Sequence, residues 1–202
     1  MFKVIDDFES LEIIDVAFND FSGTLSPLIG NMTNLTTLLL GKNQFSGAIP
    51  EEIQFCNKLQ DLSAELNNDM GGMLPFGLGQ LSSLVNLNLN TCDFKGPLPA
   101  SLGNLGNLKI LDVSFNDLNG ALPKELGNAS SLTALRLSSN EFDWPVPNEL
   151  GLLTNLKELR IENTNLVGVM PQEICTLRQE GVLERIVVSC ENIACACCEY
   201  CK

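Results

Sequence analysis

The chain has 202 residues, and its 25 acidic side chains outnumber its 12 basic ones, giving a formal net charge of −13. This excess of acid argues against nucleic acid, whose phosphates require clustered Lys and Arg, and against direct docking on anionic membranes. Histidine is absent from the sequence, which removes Ser-His-Asp and Cys-His catalysis. With no phosphate loop or dinucleotide fingerprint either, we predict a non-enzyme without a cofactor or catalytic metal.

One sequence pattern returns about every 24 residues, in the form L-x-x-L-x-L-x-x-N-x-F-x-G-x-L-P followed by a leucine-containing segment. The copies start at Leu11, Leu35, Leu59, Leu84, Leu108, Leu132 and Leu156. A repeat of this length predicts a solenoid in which stacked coils bury each other's apolar side chains in one continuous core. Residues 11–179 hold seven copies, residues 1–10 resemble a truncated copy, and residues 180–202 form a degenerate copy with a cysteine-rich cap.

Each copy combines a strand, a turn and a short helix in the same order. In the second copy, Leu38 and Leu40 alternate with outward positions, which predicts a short strand. Asn43 follows, and its amide is suited to satisfy backbone groups where the chain leaves the strand. Phe45 belongs to a column of apolar residues that recurs from copy to copy. The Ile49-Pro50 pair predicts the end of the extended segment, because proline cannot donate to a sheet. We call the column that contains Asn43 the ladder, because its side chains are predicted to stack from coil to coil. Its positions are Asn19, Asn43, Asn67, Cys92, Asn116, Asn140 and Thr164.

Two copies depart from this pattern. The third has one extra residue, since Asn68 and Asp69 replace the usual single residue between the ladder and the apolar column. The sixth has Trp144-Pro145 where Gly-x is expected. Trp144 either fills a gap on the convex flank or is an exposed aromatic anchor, because tryptophan is enriched at binding hot spots.

In its G-x-[IL]-P motif and its asparagine column, the chain resembles the plant-type leucine-rich repeat family over roughly residues 1–179. The resemblance implies an α/β repeat solenoid, a right-handed superhelix with a concave parallel β-sheet and short 3₁₀ or helical segments on the convex side. It also implies an additional layer of short strands after the asparagine column. Members of this family include receptor ectodomains and secreted enzyme inhibitors, and their concave sheet usually binds proteins, peptides or glycans.

The alternation of the strands identifies which side chains face outward and are therefore candidates for ligand contact. On the concave face these are Asp15, Asp61, Glu65, Asn86, Asn88, Asn90, Asp112, Arg136, Glu158, Arg160 and Glu162. Phe18 and Phe115 come just after their strands and, with Trp144, are the candidate aromatic anchors. A varied set of side chains on a fixed scaffold is typical of a recognition surface, but an unselected solvent face has the same appearance.

Six of the eight cysteines lie in the last 28 residues: Cys175, Cys190, Cys195, Cys197, Cys198 and Cys201. They predict a disulfide-stapled cap, formed in an oxidising compartment, with Cys175–Cys190 as the expected first bridge. The alternative is a zinc site built from the last four of them, although their spacing is unlike that of structural zinc pairs. The other two cysteines, Cys56 and Cys92, occupy repeat columns and predict buried free thiols. The C-terminal cluster also resembles that of leucine-rich repeat proteins from diatoms and related algae.

Three functions remain open from sequence. The first is a recognition module of a cell-surface or secreted protein, binding a protein, peptide or glycan. The second is a secreted enzyme inhibitor, and the third is an ice- or surface-binding protein, which the charges on the concave face disfavour. Glycosylation sequons at Asn31, Asn34 and Asn128 agree with an extracellular location. No apolar run approaches the ~18 residues of a membrane span, so we expect a signal or anchor segment outside this sequence.

Overall fold

The computed structural model describes residues 10–198 and 200–201, with side chains for residues 10–198. Most of the truncated copy expected at residues 1–10 therefore lies outside the described residues. From Ser10 to Gln179 each of the seven coils consists of a strand, a second strand and a short helix, as the repeat pattern predicts. The fold is the leucine-rich repeat solenoid expected from the sequence.

The first strand of every coil joins a nine-stranded parallel sheet on the concave side. Its members are β1 (Ile13–Asp15), β3 (Thr37–Leu39), β5 (Asp61–Ser63), β7 (Asn86–Asn88), β9 (Ile110–Asp112), β11 (Ala134–Arg136), β13 (Glu158–Arg160), β15 (Arg185–Val188) and β17 (Tyr200–Cys201). The register is in phase with the repeat, because Leu62 pairs with Leu38 on one side and with Leu87 on the other. These leucines point inward and are at most 1% exposed, so each coil covers the apolar side of its neighbour.

The second strand of the coils forms a lateral sheet, which is also parallel. Its six strands are β2 (Ser22–Thr24), β4 (Gln44–Gly47), β6 (Asp69–Met73), β8 (Asp93–Gly96), β10 (Asp117–Gly120) and β12 (Glu141–Phe142). The sheet ends at β12, and β14 (Gly168–Val169) pairs instead with β16 (Ile193–Ala194) in a separate two-stranded sheet. The lateral layer is therefore interrupted between the sixth and seventh coils.

The convex side carries a stack of 3₁₀ helices, most of which begin directly after the proline of the motif. They are Pro27–Asn31, Glu51–Phe55, Phe76–Gln80, Ala100–Asn104, Lys124–Asn128 and Asn148–Leu152. A 3₁₀ helix rises by about 2 Å per residue, so five residues are enough to return the chain toward the concave sheet. The seventh coil has a true α-helix, α1 (Gln172–Gln179), directly before the degenerate copy.

The asparagine column forms a ladder inside the stack. The amide of Asn116 donates to the carbonyls of Leu89 and Val113 at 2.9 and 3.0 Å, and its oxygen accepts from the N–H of Phe94 at 3.0 Å. One side chain thus satisfies buried backbone groups in its own coil and in the coil before it. Thr164 keeps part of this role, since its hydroxyl donates to the carbonyl of Ile161 at 2.8 Å.

The disulfide pairing in the C-terminal cap differs from our expectation. Cys175, on α1, is bonded to Cys197 and not to Cys190, and Cys195 is bonded to Cys198. The Cα atoms of the first pair are 5.4 Å apart, and the bridge ties the terminal segment to the helix. Cys190 also takes part in a disulfide. The zinc alternative disagrees with this structure, because Cys195, Cys197 and Cys198 are already held in disulfides.

Candidate binding surface

The outward side chains of the concave sheet form the surface where ligand contact is expected. At its centre lies a depression of about 300 Å³. The residues lining it include Leu39, Asp61, Ser63, Asn86, Asn88, Ile110, Asp112 and Arg136. A few apolar side chains among amide, carboxylate and guanidinium groups are a combination found in many ligand sites. Leu39 and Ile110 were not among the predicted contact residues, although their outward strand positions identify them.

Polar side chains in and beside this depression bond to one another along and between strands. The amide of Asn86 donates to Asp61 across β5 and β7, and Ser63 donates to Glu65 within the coil. Asn90 donates to Asn88 at 2.8 Å. All six remain partly exposed, so the five of them that were predicted from sequence are assembled in one place, together with Ser63, and are accessible to a ligand.

A chain of ion pairs crosses the C-terminal half of the concave face. Arg136 lies between Glu158, at 2.6 Å, and Asp112, at 3.6 Å. Arg185, from the degenerate last coil, approaches the same Glu158 at 3.9 Å. Sequence alone did not identify Arg185, because the leucine pattern that fixes the register is lost in that coil. The carboxylates here are largely neutralised by arginines before any ligand arrives.

Glu162 is the one predicted contact residue that the structure buries, with 2% of its surface exposed. Its carboxylate accepts from Ser138 at 2.7 Å and pairs with Arg160. Burial raises the pKa of Glu162, but the hydrogen bonds from Arg160 and Ser138 outweigh it and hold the pKa below the ordinary value. The hydrogen bond between Arg160 and Glu162 raises the pKa of Arg160. Glu162 therefore fixes the position of Arg160 and is not itself a free contact.

The N-terminal half of the face has a different electrostatic character. Asp15, Asp61 and Glu65 form no ion pair with any described residue. The concave face is thus acidic and amide-rich over its first coils and balanced in charge over its later coils. A ligand lying along the sheet meets these two environments in order, which gives the surface a direction.

All three predicted aromatic anchors are exposed. The exposed fractions are 71% for Phe18, 60% for Phe115 and 64% for Trp144, so Trp144 does not fill a gap in the packed convex flank. Phe18 and Phe115 lie at the edge of the concave sheet, and the ammonium of Lys42 stands 4.0 Å above the Phe18 ring. At this distance the lysine makes a cation–π contact. Ligand contact by these residues stays a prediction.

Comparison with known proteins agrees with the architecture. The model of the family described as Leucine Rich Repeat matches residues 10–32, 34–56, 83–105, 107–129 and 155–177, which is more than half of the chain. The chain belongs to the leucine-rich repeat family. Receptor-like protein 39 of Arabidopsis thaliana is 37% identical over 93 residues, a stretch covering 45% of this chain and 10% of that protein.

Solved structures of plant receptors are similar over nearly the whole chain. The ectodomain of the plant membrane receptor kinase GASSHO1/SCHENGEN3 from Arabidopsis thaliana, in complex with CASPARIAN STRIP INTEGRITY FACTOR 2, has a TM-score of 0.85 at 28% identity, covering 96% of this chain and 26% of that one. A TDR receptor also gives 0.85, at 36% identity, covering 92% and 31%. The plant peptide hormone receptor RGFR1 in complex with RGF2 gives 0.75, at 29% identity, covering 93% and 32%. The leucine-rich repeat chain thus spans a quarter to a third of these receptor chains.

None of the helices within the described residues has the length and apolar character needed to cross a bilayer.

Proposed function

We propose that this leucine-rich repeat chain is a non-enzymatic recognition module that binds an extended peptide along its concave face. The observation that carries the proposal is the contrast between the two faces of one sheet. Inward positions repeat leucine from coil to coil, whereas outward positions carry acids, amides, arginines and isolated apolar groups. The inward pattern is what stacking requires, and the outward variety is suited to reading the side chains of a ligand.

The similar structures support a peptide as the ligand. RGFR1 is a peptide hormone receptor, and its complex with RGF2 shares this fold over most of the present chain. Strands of the concave sheet follow one another at the ~4.8 Å spacing of neighbouring strands, so an extended peptide crossing them passes successive coils. Each ligand residue then meets a different pair of outward side chains, which is a simple basis for specificity.

An extracellular or cell-surface location belongs to the same proposal. The disulfides Cys175–Cys197 and Cys195–Cys198 persist in oxidising compartments and are rare in the cytosol. Two of the three sequon asparagines, Asn31 and Asn128, are exposed and therefore accessible to glycosylation. The similar receptor-like proteins of Arabidopsis thaliana are consistent with this placement.

A displayed library of random peptides, selected on the intact chain, tests the proposal. We expect a selected peptide to bind the parent chain and to lose at least about tenfold in affinity with the double variant Asn86→Ala, Asn88→Ala, because both amides line the central depression. Isothermal titration calorimetry measures the loss. The matched control is Asn57→Ala, Asn104→Ala, which removes two exposed amides from the convex side.

Two results would contradict the proposal. One is equal binding by both double variants, which would place the ligand elsewhere. The other is a library that yields no peptide dependent on the concave face. A melting temperature for Asn86→Ala, Asn88→Ala close to that of the parent chain separates lost contact from lost folding.

A further inference from the structure

Trp144 is unusual within its repeat column as well as exposed, since the other described non-glycine residues with positive φ all occupy a different column, directly before the ladder position. In the six other coils the equivalent residue is a glycine, with φ between +73° and +102°. Trp144 adopts φ +70° at the same place. A left-handed backbone is disfavoured for a bulky residue, and such strain persists where the surrounding structure holds it, often at a functional site. In this strained conformation the chain's only tryptophan is exposed to solvent.

The lateral sheet is interrupted at the same point. Strand β12 stops at Phe142, and no ladder connects it to β14 in the next coil. Pro145 has no N–H to donate to a ladder, and the remaining link near it is the bond from the N–H of Val167 to the carbonyl of Trp144, at 3.3 Å. The sixth coil thus departs from its neighbours in backbone conformation and in sheet pairing where the tryptophan is presented.

Apolar groups of the next coil extend the surface around this tryptophan. Val167 and Val169 are 47% and 71% exposed, and Pro145, also exposed, lies beside Gly168. We call Trp144, Pro145, Val167 and Val169 the Trp144 patch. Glu141 and Asp143 flank it as exposed carboxylates that form no ion pair with any described residue. The patch is therefore apolar with an acidic edge.

We propose that the Trp144 patch is a second docking surface, separate from the concave face, for a basic and apolar peptide segment of a partner protein. A segment with alternating apolar and Arg or Lys residues covers the tryptophan and valines while its cations reach Glu141 and Asp143. An arginine is also suited to stack on the indole ring. The charge of −13 on the chain favours a basic partner over a second copy of itself.

The test uses the intact chain and two short synthetic peptides, one alternating Arg with Leu and one alternating Glu with Leu. Because Trp144 is the only tryptophan, its fluorescence reports directly on the patch. We expect a saturable blue shift with the Arg-Leu peptide, weaker at high salt, and none with the Glu-Leu peptide. The double variant Glu141→Gln, Asp143→Asn should bind the Arg-Leu peptide about threefold to tenfold more weakly.

Paired substitutions at position 144 separate binding from strain. Calorimetry should show at least about a tenfold loss of affinity for both Trp144→Gly and Trp144→Ala, and no loss for the control Phe76→Ala, which removes an exposed aromatic on the convex side. Trp144→Gly should melt about 2–4 °C above Trp144→Ala, because only glycine relieves the backbone strain. Double substitution of Asn86 and Asn88 should leave this binding unchanged.

Several outcomes would overturn the proposal. They are full affinity of Trp144→Gly for the Arg-Leu peptide, equal shifts with both peptides, or a loss caused by the concave-face variant alone. Sedimentation showing a dimer that dissociates with Trp144→Gly would replace the basic partner by a second copy. An alanine variant as stable as the glycine variant would remove the strain argument. Failure here leaves the peptide site on the concave face untouched, since the two surfaces share no residue.

Discussion

At the scale of single residues, two irregularities of the sequence belong to one structural solution. In regular coils the N–H of the apolar column bonds to the asparagine oxygen of the next coil, as in Phe45 to Asn67 at 2.9 Å. Met70 has no such partner, because the next coil offers the Cys92 thiol in place of a carbonyl. Its N–H bonds instead to the carbonyl of Asn67, at 2.9 Å, across the extra residue of the third coil. The insertion compensates for the missing amide.

This compensation predicts coupled effects on stability. Deletion of Asn68 alone should lower the free energy of unfolding by about 1–3 kcal/mol, because the buried N–H of Met70 loses its acceptor. The substitution Cys92→Asn, which supplies an amide oxygen, should rescue part of that loss and have little effect in the undeleted chain. Urea unfolding of the four variants should give a coupling of at least about 1 kcal/mol. Strictly additive effects would show that the two irregularities are independent.

Burial keeps both free thiols protonated. It raises the pKa of Cys56 to about 11, and it does the same for Cys92, where a hydrogen bond with the Asn67 backbone acts in the opposite direction. Cys56 is fully buried and Cys92 only partly, so the expectation of two buried thiols holds for the first alone. Their positions in repeat columns made this burial predictable, whereas the partial exposure of Cys92 depends on the neighbouring coil.

At the scale of elements, the 3₁₀ helices stack closely because a glycine lies at the contact between neighbouring coils. A Cβ atom on Gly103 would meet the carbonyl oxygen of Glu125 in the next helix at 2.1 Å, and one on Gly127 would meet that of Glu149 at 2.2 Å. These contacts are with backbone atoms, so no side-chain rotation relieves them. The glycine that follows the buried leucine of the 3₁₀ helix, as in Leu102-Gly103 and Leu126-Gly127, therefore sets the spacing of the convex side.

Two alanine substitutions within one coil measure this packing. Gly103→Ala should lower the free energy of unfolding by at least about 2 kcal/mol, since the coils must separate. Gly106→Ala is the matched control, because its Cβ would meet nothing within 4 Å, and we expect it to be neutral or to stabilise by up to about 1 kcal/mol. Urea unfolding at neutral pH gives both values. Similar losses for the two variants would mean that close stacking of the helices is not the cause.

At the scale of the whole molecule, each coil contacts only its neighbours, so the ends decide where unfolding starts. The C-terminal end is closed by α1, by β15 and by the bridge from Cys175 on the helix to Cys197 in the terminal segment. This bridge closes a loop of 22 residues, whereas Cys195–Cys198 closes a loop of three. Closing a longer loop removes more conformational entropy from the unfolded chain, so Cys175–Cys197 is expected to stabilise the fold more than Cys195–Cys198.

The two bridges should therefore differ in their effect. Replacing Cys175 and Cys197 by serine should cost about 3 kcal/mol, and replacing Cys195 and Cys198 about 2 kcal/mol. Limited proteolysis with mass spectrometry should place the first cleavages of the Cys175→Ser, Cys197→Ser variant within the last coil, ahead of global unfolding. The prediction is wrong if this variant is the more stable of the two or if its first cleavages fall in the central coils.

The sequence by itself determined the solenoid, the phase of its coils, the inward leucines and the positions of the asparagine ladder. It also identified the outward side chains of the concave sheet. These features repeat along the chain, so a position in one copy fixes the equivalent position in all others. Only the tertiary structure decided the pairing of Cys175 with Cys197, the burial of Glu162 beneath Arg160, and the presentation of Trp144 at the break in the lateral sheet. Each of these depends on contacts between groups whose distance in space no periodic pattern records.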